Sequence, residues 1–279
     1  MMKTLKILAC LAGLLPISLI KAQDFNETLV VPLSRPTEKG KLEVSLVRGD
    51  ISIVAYDSDE VVIEATSSKS VTGRGRCSDC EEDRRPSKVP PGMKRISSSS
   101  IELEASEDDN EVEIATNSWK QAVNLSIKVP KNFDLEVATV HGKLSVAGVE
   151  GLMEASSVHG ALTFSEVAGA VLCNTVHGSI VATFNQVTKD EPMSFVTLHG
   201  DIDASFPGEI NATTKMKSDR GEIYTDFDMV IDKSTQEKKS SKDGEYKVSV
   251  NSWVYGKINN GGAEYTFKNM HGDIIIRKE

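Results

Sequence analysis

The sequence predicts an all-β fold and, within that class, a parallel β-solenoid (β-helix or β-roll-like) with rungs of about 18 residues and two strands per rung. Three observations carry this expectation. A short pattern recurs four times between residues 134 and 205, as DLEVATVHGKLSV, LMEASSVHGALTF, AVLCNTVHGSIVA and PMSFVTLHGDIDA. His141, His159 and His177 are spaced by 18 residues, and His199 follows after 22, one further period plus an insertion of four. A fixed period of this size marks a repeat architecture. On either side of the glycine that follows each histidine, apolar residues occupy alternate positions, the period-two mark of a strand with one buried face.

Aligned on that glycine, the positions seven and five before it are Leu135/Val137, Met153/Ala155, Val171/Cys173 and Met193/Phe195. Three before it stand Thr139, Ser157, Thr175 and Thr197. Two and four after it stand Leu144/Val146, Leu162/Phe164, Ile180/Ala182 and Ile202/Ala204. The glycine breaks the alternation at a corner, where a residue without Cβ can take φ > 0. The same frame recurs at Leu42/Val44, Gly49 and Ile51/Ile53, again at Met216, Gly221 and Ile223, and last at Tyr265/Phe267, Gly272 and Ile274/Ile276. The corner glycines are therefore Gly49, Gly142, Gly160, Gly178, Gly200, Gly221 and Gly272. A second corner falls at Val149-Glu150-Gly151 and Val167-Ala168-Gly169. Two tight turns per rung leave no room for a crossover helix, so equivalent strands stack by coiling the chain, at a spacing of about 4.8 Å. A sandwich of antiparallel hairpins explains the turns but not the recurrence of the inward columns.

In chain order, residues 1–22 have a basic start (Lys3, Lys6), an apolar run from Ile7 to Ile20 interrupted by Pro16, and a polar continuation. This reads as a secretory signal cleaved near Ala22/Gln23, and the run is short for a membrane span. Cys10 reads as an ordinary residue of the signal rather than a lipidation site, because little hydrophobic sequence precedes it. Residues 23–279 then form a single β-solenoid domain, with its regular rungs at 134–205. Arg48-Gly49-Asp50 spells a cell-attachment tripeptide but is simply the first copy's corner. Residues 67–98 are polar and rich in Gly, Pro and Ser, and read as a loop insertion. Within it Cys77 and Cys80 could close a local disulfide in an oxidising compartment, with free thiols as the alternative. Cys173 shares a buried column with Val137 and Ala155 and reads as a small apolar side chain. Strands follow in 100–129, and a second polar loop insertion is read at 228–244. The turn Asn259-Asn260-Gly261-Gly262 precedes the last copy.

Removing residues 1–22 takes away three lysines and leaves 29 basic against 41 acidic residues. An acidic exported chain is a poor match for nucleic acid or anionic membranes, and no later segment reads as a membrane helix.

The tail KINNGGAEYTFKNMHGDIIIRK, the phrase SFVTLHGDIDASFPGEI, the segment GEIYTDFD and the stretch SIKVPKNFDLEVATVHGKLSV are similar to a bacterial family of β-strand-repeat proteins of Bacteroidetes type, known as putative adhesins. That resemblance covers most of the mature chain. It implies a solenoid-like β fold, export to the cell envelope and no assigned catalytic residues. The family usually carries Asn-Gly at the corner, where this chain has His141, His159, His177, His199 and His271, with Arg48 and Arg220 at the other two corners.

All five histidines thus share one structural address. The expectation is a corner ladder of stacked imidazoles. The competing readings are a row of metal ligands or a pH sensor. The corner is shared with arginine and no column supplies carboxylates at a fixed offset, so neither a metal nor a cofactor is assigned. The outward carboxylates Asp201, Asp203, Glu222 and Asp273 read as a scattered, solvated face. No G-x-S-x-G, phosphate loop or zinc signature occurs, so the chain reads as a non-enzyme without catalytic residues, with a polysaccharide lyase or hydrolase as the enzymatic alternative. The expected function is an adhesin-like binding or scaffold module of the cell envelope, periplasmic or on the cell surface. Its partner would be a glycan or an envelope protein; the alternative role is a structural or envelope-stress component of the periplasm.

Overall fold

The computed structural model describes residues 25–67, 103–116, 122–232, 237–242, 245–250 and 253–279. The strands up to the regular block are β1 (Phe25–Pro32), β2 (Gly40–Arg48), β3 (Ile51–Tyr56), β4 (Glu60–Ser67), β5 (Leu103–Asp108), β6 (Glu111–Thr116) and β7 (Asn124–Pro130). The block contains β8 (Phe133–His141), β9 (Leu144–Ala147), β10 (Glu150–His159), β11 (Leu162–His177), β12 (Ile180–Val187), β13 (Met193–His199) and β14 (Ile202–Phe206). After it come β15 (Ala212–Ser218), β16 (Ile223–Thr225), β17 (Met229–Asp232), β18 (Glu237–Lys242), β19 (Glu245–Val250), β20 (Val254–Ile258), β21 (Ala263–His271) and β22 (Ile274–Lys278).

The fold is all-β, and no helix occurs among the described residues. Twenty strands join one nearly closed, barrel-like sheet, while β18 and β19 form a separate antiparallel pair. The strand order is mixed, which corrects the expectation of a purely parallel solenoid. The middle is parallel and the ends are not. One side of the sheet runs β5, β6, β2, β8, β10, β11, β13, β21, β15, β20, β17. The other runs β1, β4, β7, β3, β9, β11, β12, β14, β22, β16. The 16-residue β11 belongs to both sides.

Within the block the register is set by the repeat. Ala155 pairs with Val137 and Cys173, and Leu162 with Leu144 and Ile180, so like positions fall into columns. Antiparallel strands close each end: β1, β4 and β7 with β5 and β6 at one, β15, β20 and β17 at the other. The physical reason is the loss of the repeat frame. Once a segment has no glycine corner it returns by a hairpin, and an antiparallel partner then covers a strand edge that would otherwise stay open.

The stacking order also departs from chain order. The last copy, β21 and β22, lies between β13/β14 and β15/β16. Strand β15 is flanked by β20 on one edge and β21 on the other, so the turn at residues 259–262 passes across its start. Asn259 Nδ2 holds that crossing by donating to the carbonyls of Gly208 (3.2 Å) and Ile210 (2.6 Å).

Side chains from both sides fill the interior. Phe184 and Phe206 stack at 4.8 Å, and Phe195 meets their edges at 6.3 Å. Volumes compensate within two of the copies. The copy that carries small Ala155 supplies Phe164 from its other strand, whereas the copy that carries Phe195 supplies Ala204, all four buried. Filling of this kind matters because interiors pack at crystal-like density. Residues 228–244, read as a loop from sequence, include β17 and β18. Ala22, Gln23, Cys77, Cys80 and nearly all of 67–98 lie outside the described residues.

Candidate functional site: the glycine corner

The corner is built from backbone outward. Gly49 N–H donates to the carbonyl of His141, Gly142 to His159, Gly160 to His177, Gly178 to His199 and Gly200 to His271, all at 2.9–3.0 Å. The chain turns here without interrupting the ladder between rungs. Stacking is so close that a Cβ on Gly142, Gly160, Gly178, Gly200, Gly272 or Gly221 would overlap the carbonyl oxygen of the preceding glycine in the column; on Gly49 it would overlap that of Val123. Space, not conformation, is the common requirement. Gly49, Gly142, Gly200 and Gly272 do have φ of 131°, 154°, 144° and 133°, but Gly160, Gly178 and Gly221 have no positive φ.

Outside the glycines the five imidazoles form one continuous stack. Ring centroids are 4.9 Å apart for His141 and His159, 5.0 Å for His159 and His177, 4.8 Å for His177 and His199, and 4.6 Å for His199 and His271. Interplanar angles stay between 1° and 8°. An arginine stands at each end. Arg48 is in register with His141, and Arg220 Nη1 lies 3.1 Å from His271 Nε2. A guanidinium only donates, so Nε2 of His271 is the acceptor of this contact and Nδ1 is left for another partner. That Nδ1 is buried without a partner. His141, His159, His177 and His199 are exposed at their outer edges.

Two polar columns flank the stack. Inward, Thr175 Oγ1 donates to the Gly160 carbonyl at 3.1 Å, Thr197 Oγ1 to Gly178 at 2.9 Å and Ser218 Oγ to Gly272 at 3.0 Å. Thr139 and Ser157 occupy equivalent positions but their hydroxyls find no partner. Outward, immediately after the glycine, Asp50 Oδ1 accepts from Lys143 N (2.7 Å), Asp201 Oδ1 from Asp273 N (2.9 Å) and Asp273 Oδ1 from Glu222 N (2.9 Å). Asp203 takes a two-pronged bond from Arg277, at 2.7 and 2.9 Å, which raises the guanidinium's pKa through the charged hydrogen bond. Asp50, Asp201, Asp203 and Asp273 are therefore rung-to-rung ties rather than the scatter expected from the sequence, while Glu222 takes part through its backbone N–H. Asp50, Asp201 and Asp273 share one offset from the corner glycine, whereas Asp203 stands two residues further on. A further column, two residues before the glycine, exposes apolar side chains beside the imidazoles: Val47 at 43%, Val140 and Val158 at 37% and Met270 at 40%.

Chemically this corner offers a line of ring edges bordered by apolar side chains, with a cation at each end. Among the described residues no group of three or more His, Cys, Asp or Glu side chains is placed to hold a metal ion. Cys173 lies in the core, and burial pushes its thiol pKa far up. No helix among the described residues is long and apolar enough to cross a membrane.

No family model matches the chain, and no curated protein matches it. Among solved structures, a putative cell adhesion protein from Clostridium sporogenes is similar over 92% of this chain and 100% of its own length, with a TM-score of 0.47 and 10% sequence identity. A putative adhesin from Bacteroides fragilis is similar over 91% of this chain and 97% of its own length, with a TM-score of 0.30 and 8% identity.

Proposed function

We propose that the chain is an exported, non-enzymatic binding or scaffold module of a bacterial cell envelope, whose middle is a solenoid-like parallel stack closed at both ends by antiparallel strands. The observation that carries this reading is the glycine corner, where most of the recurring polar groups join one rung to the next. The histidines stack on one another, the threonines bond the glycine carbonyls, and Asp50, Asp201 and Asp273 accept backbone N–H groups. The bonded hydroxyls and carboxylates have structural partners, which supports a non-catalytic reading of the corner. What remains for a partner is an extended outer face, which suits adhesion or scaffolding. The apolar run of residues 7–20 and the similarity of the tail to adhesin-type β-repeat proteins support export.

Location is the first test. Intact cells expressing the chain are treated with protease and an impermeant amine label, beside a periplasmic marker. Cleavage and labelling on intact cells favour a surface adhesin. Protection until the outer membrane is opened favours a periplasmic scaffold. Recovery of full-length, uncleaved chain in the cytoplasm overturns the proposal.

A further inference from the structure

The single insertion in the regular block has a structural consequence. The four extra residues between His177 and His199 fall at the second corner, between β12 and β13. Thr188 N still reaches the Gly169 carbonyl at 3.2 Å, after which Lys189 and Asp190 leave the sheet in a turn. Asp190 adopts φ of 61°, a left-handed conformation that Asp tolerates better than most residues. The overhang faces the turns at 207–211 and 259–262, and together they enclose a cleft of about 650 Å³.

The cleft is held rigidly. The two turns are tied by Asn259, as described, and by Asn211 Oδ1, which accepts from Asn260 N at 3.1 Å. Tyr265 lies at its base, its ring 2% exposed and 5.6 Å from that of Phe206. Its rim carries amides and carboxylates: Gln186, Asn211, Asn260, Asp190 and Glu209. The amides of Gln186 and Asn260 each present a donor beside an acceptor, the pairing that neighbouring hydroxyl groups satisfy. Two carboxylates against the single cation Lys189 disfavour an anionic ligand. No aromatic or long aliphatic side chain stands exposed there as an anchor, which disfavours an apolar ligand or a protein knob. The strands behind the cleft are bonded on both edges at Ile180–Thr183 and Ser194–His199, and the stretch Phe184–Val187 that pairs with β11 alone is only four residues long, short for an added peptide strand.

We infer that this cleft is a binding site for a short neutral oligosaccharide, its hydroxyls read by Gln186, Asn260, Asp190 and Glu209. The volume lies within the range of pre-formed small-ligand sites. This inference rests on the reading of the chain as a binding module and names the ligand class.

The test uses the full mature chain and saturation-transfer NMR against neutral tri- and tetrasaccharides of glucose, mannose and N-acetylglucosamine, with uronate and phosphorylated oligosaccharides as charged controls. At least one neutral series should bind, and the double variant Gln186→Ala/Asn260→Ala should weaken it tenfold or more while its melting curve stays in place. Asp190→Asn, which keeps a residue tolerant of the left-handed turn, should weaken it less. Absence of neutral-sugar binding at millimolar concentration overturns the assignment, as does a preference for charged sugars or equal binding by the double variant. Such a failure leaves the envelope reading standing, because that is decided separately by where the chain lies in the cell.

Discussion

Each repeat of the regular block turns twice, and the two corners are built on opposite terms. At the first, seven glycines from Gly49 to Gly221 form one unbroken column, each after Gly49 set against the carbonyl of the one before it, with the imidazole stack outside. At the second, Gly151 and Gly169 stack in the same way, but the next residue in register is Val187 and an insertion follows. The first corner is a constraint shared by every copy, including those out of chain order. The second is where the chain leaves the stack and returns. A column that passes through all rungs fixes register. A column only two glycines long permits variation, and the largest cleft described here lies beyond its end.

The sharpest break of this comparison is a methyl group. Gly160→Ala places a Cβ into the Gly142 carbonyl oxygen, and backbone on both rungs must move. We expect a loss of roughly 3–5 kcal/mol in urea unfolding, near the top of single-substitution effects. Gly148→Ala, beside the second corner, should cost about 1–2 kcal/mol. Its φ of 68° penalises a side chain, but the nearest atom to its Cβ would be Ala55 Cβ at 3.5 Å, an ordinary contact. Equal losses at the two sites would mean that backbone conformation, not space, sets the glycine requirement.

A smaller contrast separates rungs along the same corner. Thr197 Oγ1 is bonded to the Gly178 carbonyl, whereas Thr139 Oγ1 is buried without a partner. Thr197→Val should therefore destabilise by about 1 kcal/mol, and Thr139→Val should be neutral or stabilising. Matching losses in both variants would show that the Thr139 hydroxyl is satisfied in solution.

These features differ in how far the sequence discloses them. Period-two alternation and the 18-residue spacing reveal the all-β class, the corner glycines and the inward columns, because each leaves one residue type at a fixed offset. The Asp50, Asp201 and Asp273 ties share such an offset, but Lys143, Ala161 and Ser179 occupy the same column and obscure it. The antiparallel ends could not be read from the repeat, since strands such as β4 and β20 pair through backbone groups common to every residue. Intercalation of β21 and β22 was hidden for a related reason. Identical corners give a copy the same fit against several neighbours, and only the path of β15, β20 and the turn between β20 and β21 selects one. The cleft was hidden as well: its residues come from three turns and from β12 and β21, and the insertion of four was the sole trace in the sequence.

The imidazole stack should contribute less than the glycines it shields. His177 has a ring on each face, at 5.0 and 4.8 Å, yet its outer edge is in water. His177→Ala should cost about 1 kcal/mol, the scale of aromatic pairs, and His177→Asn less, since an amide can bridge neighbouring rungs. Thermal unfolding of the two variants measures this, and a loss comparable to that of Gly160→Ala would place the rings among the main supports of the corner.

The smallest effect on stability should come from the largest change in covalent structure. Deleting residues 189–192 joins Thr188 to Met193 and restores the 18-residue spacing, leaving Val187, Thr188 and Met193 opposite Gly169, Ala170 and Val171. Loop-closure entropy changes slowly with length, so the unfolding free energy should stay within about 1 kcal/mol of the parent. Inserting the same four residues between His177 and Gly178 should instead abolish cooperative unfolding, because the Gly160–Gly178–Gly200 column and the bond from Gly178 N to the His199 carbonyl cannot both persist. If the deletion unfolds the chain, or the insertion leaves it intact, the division between a constant corner and a permissive one is wrong.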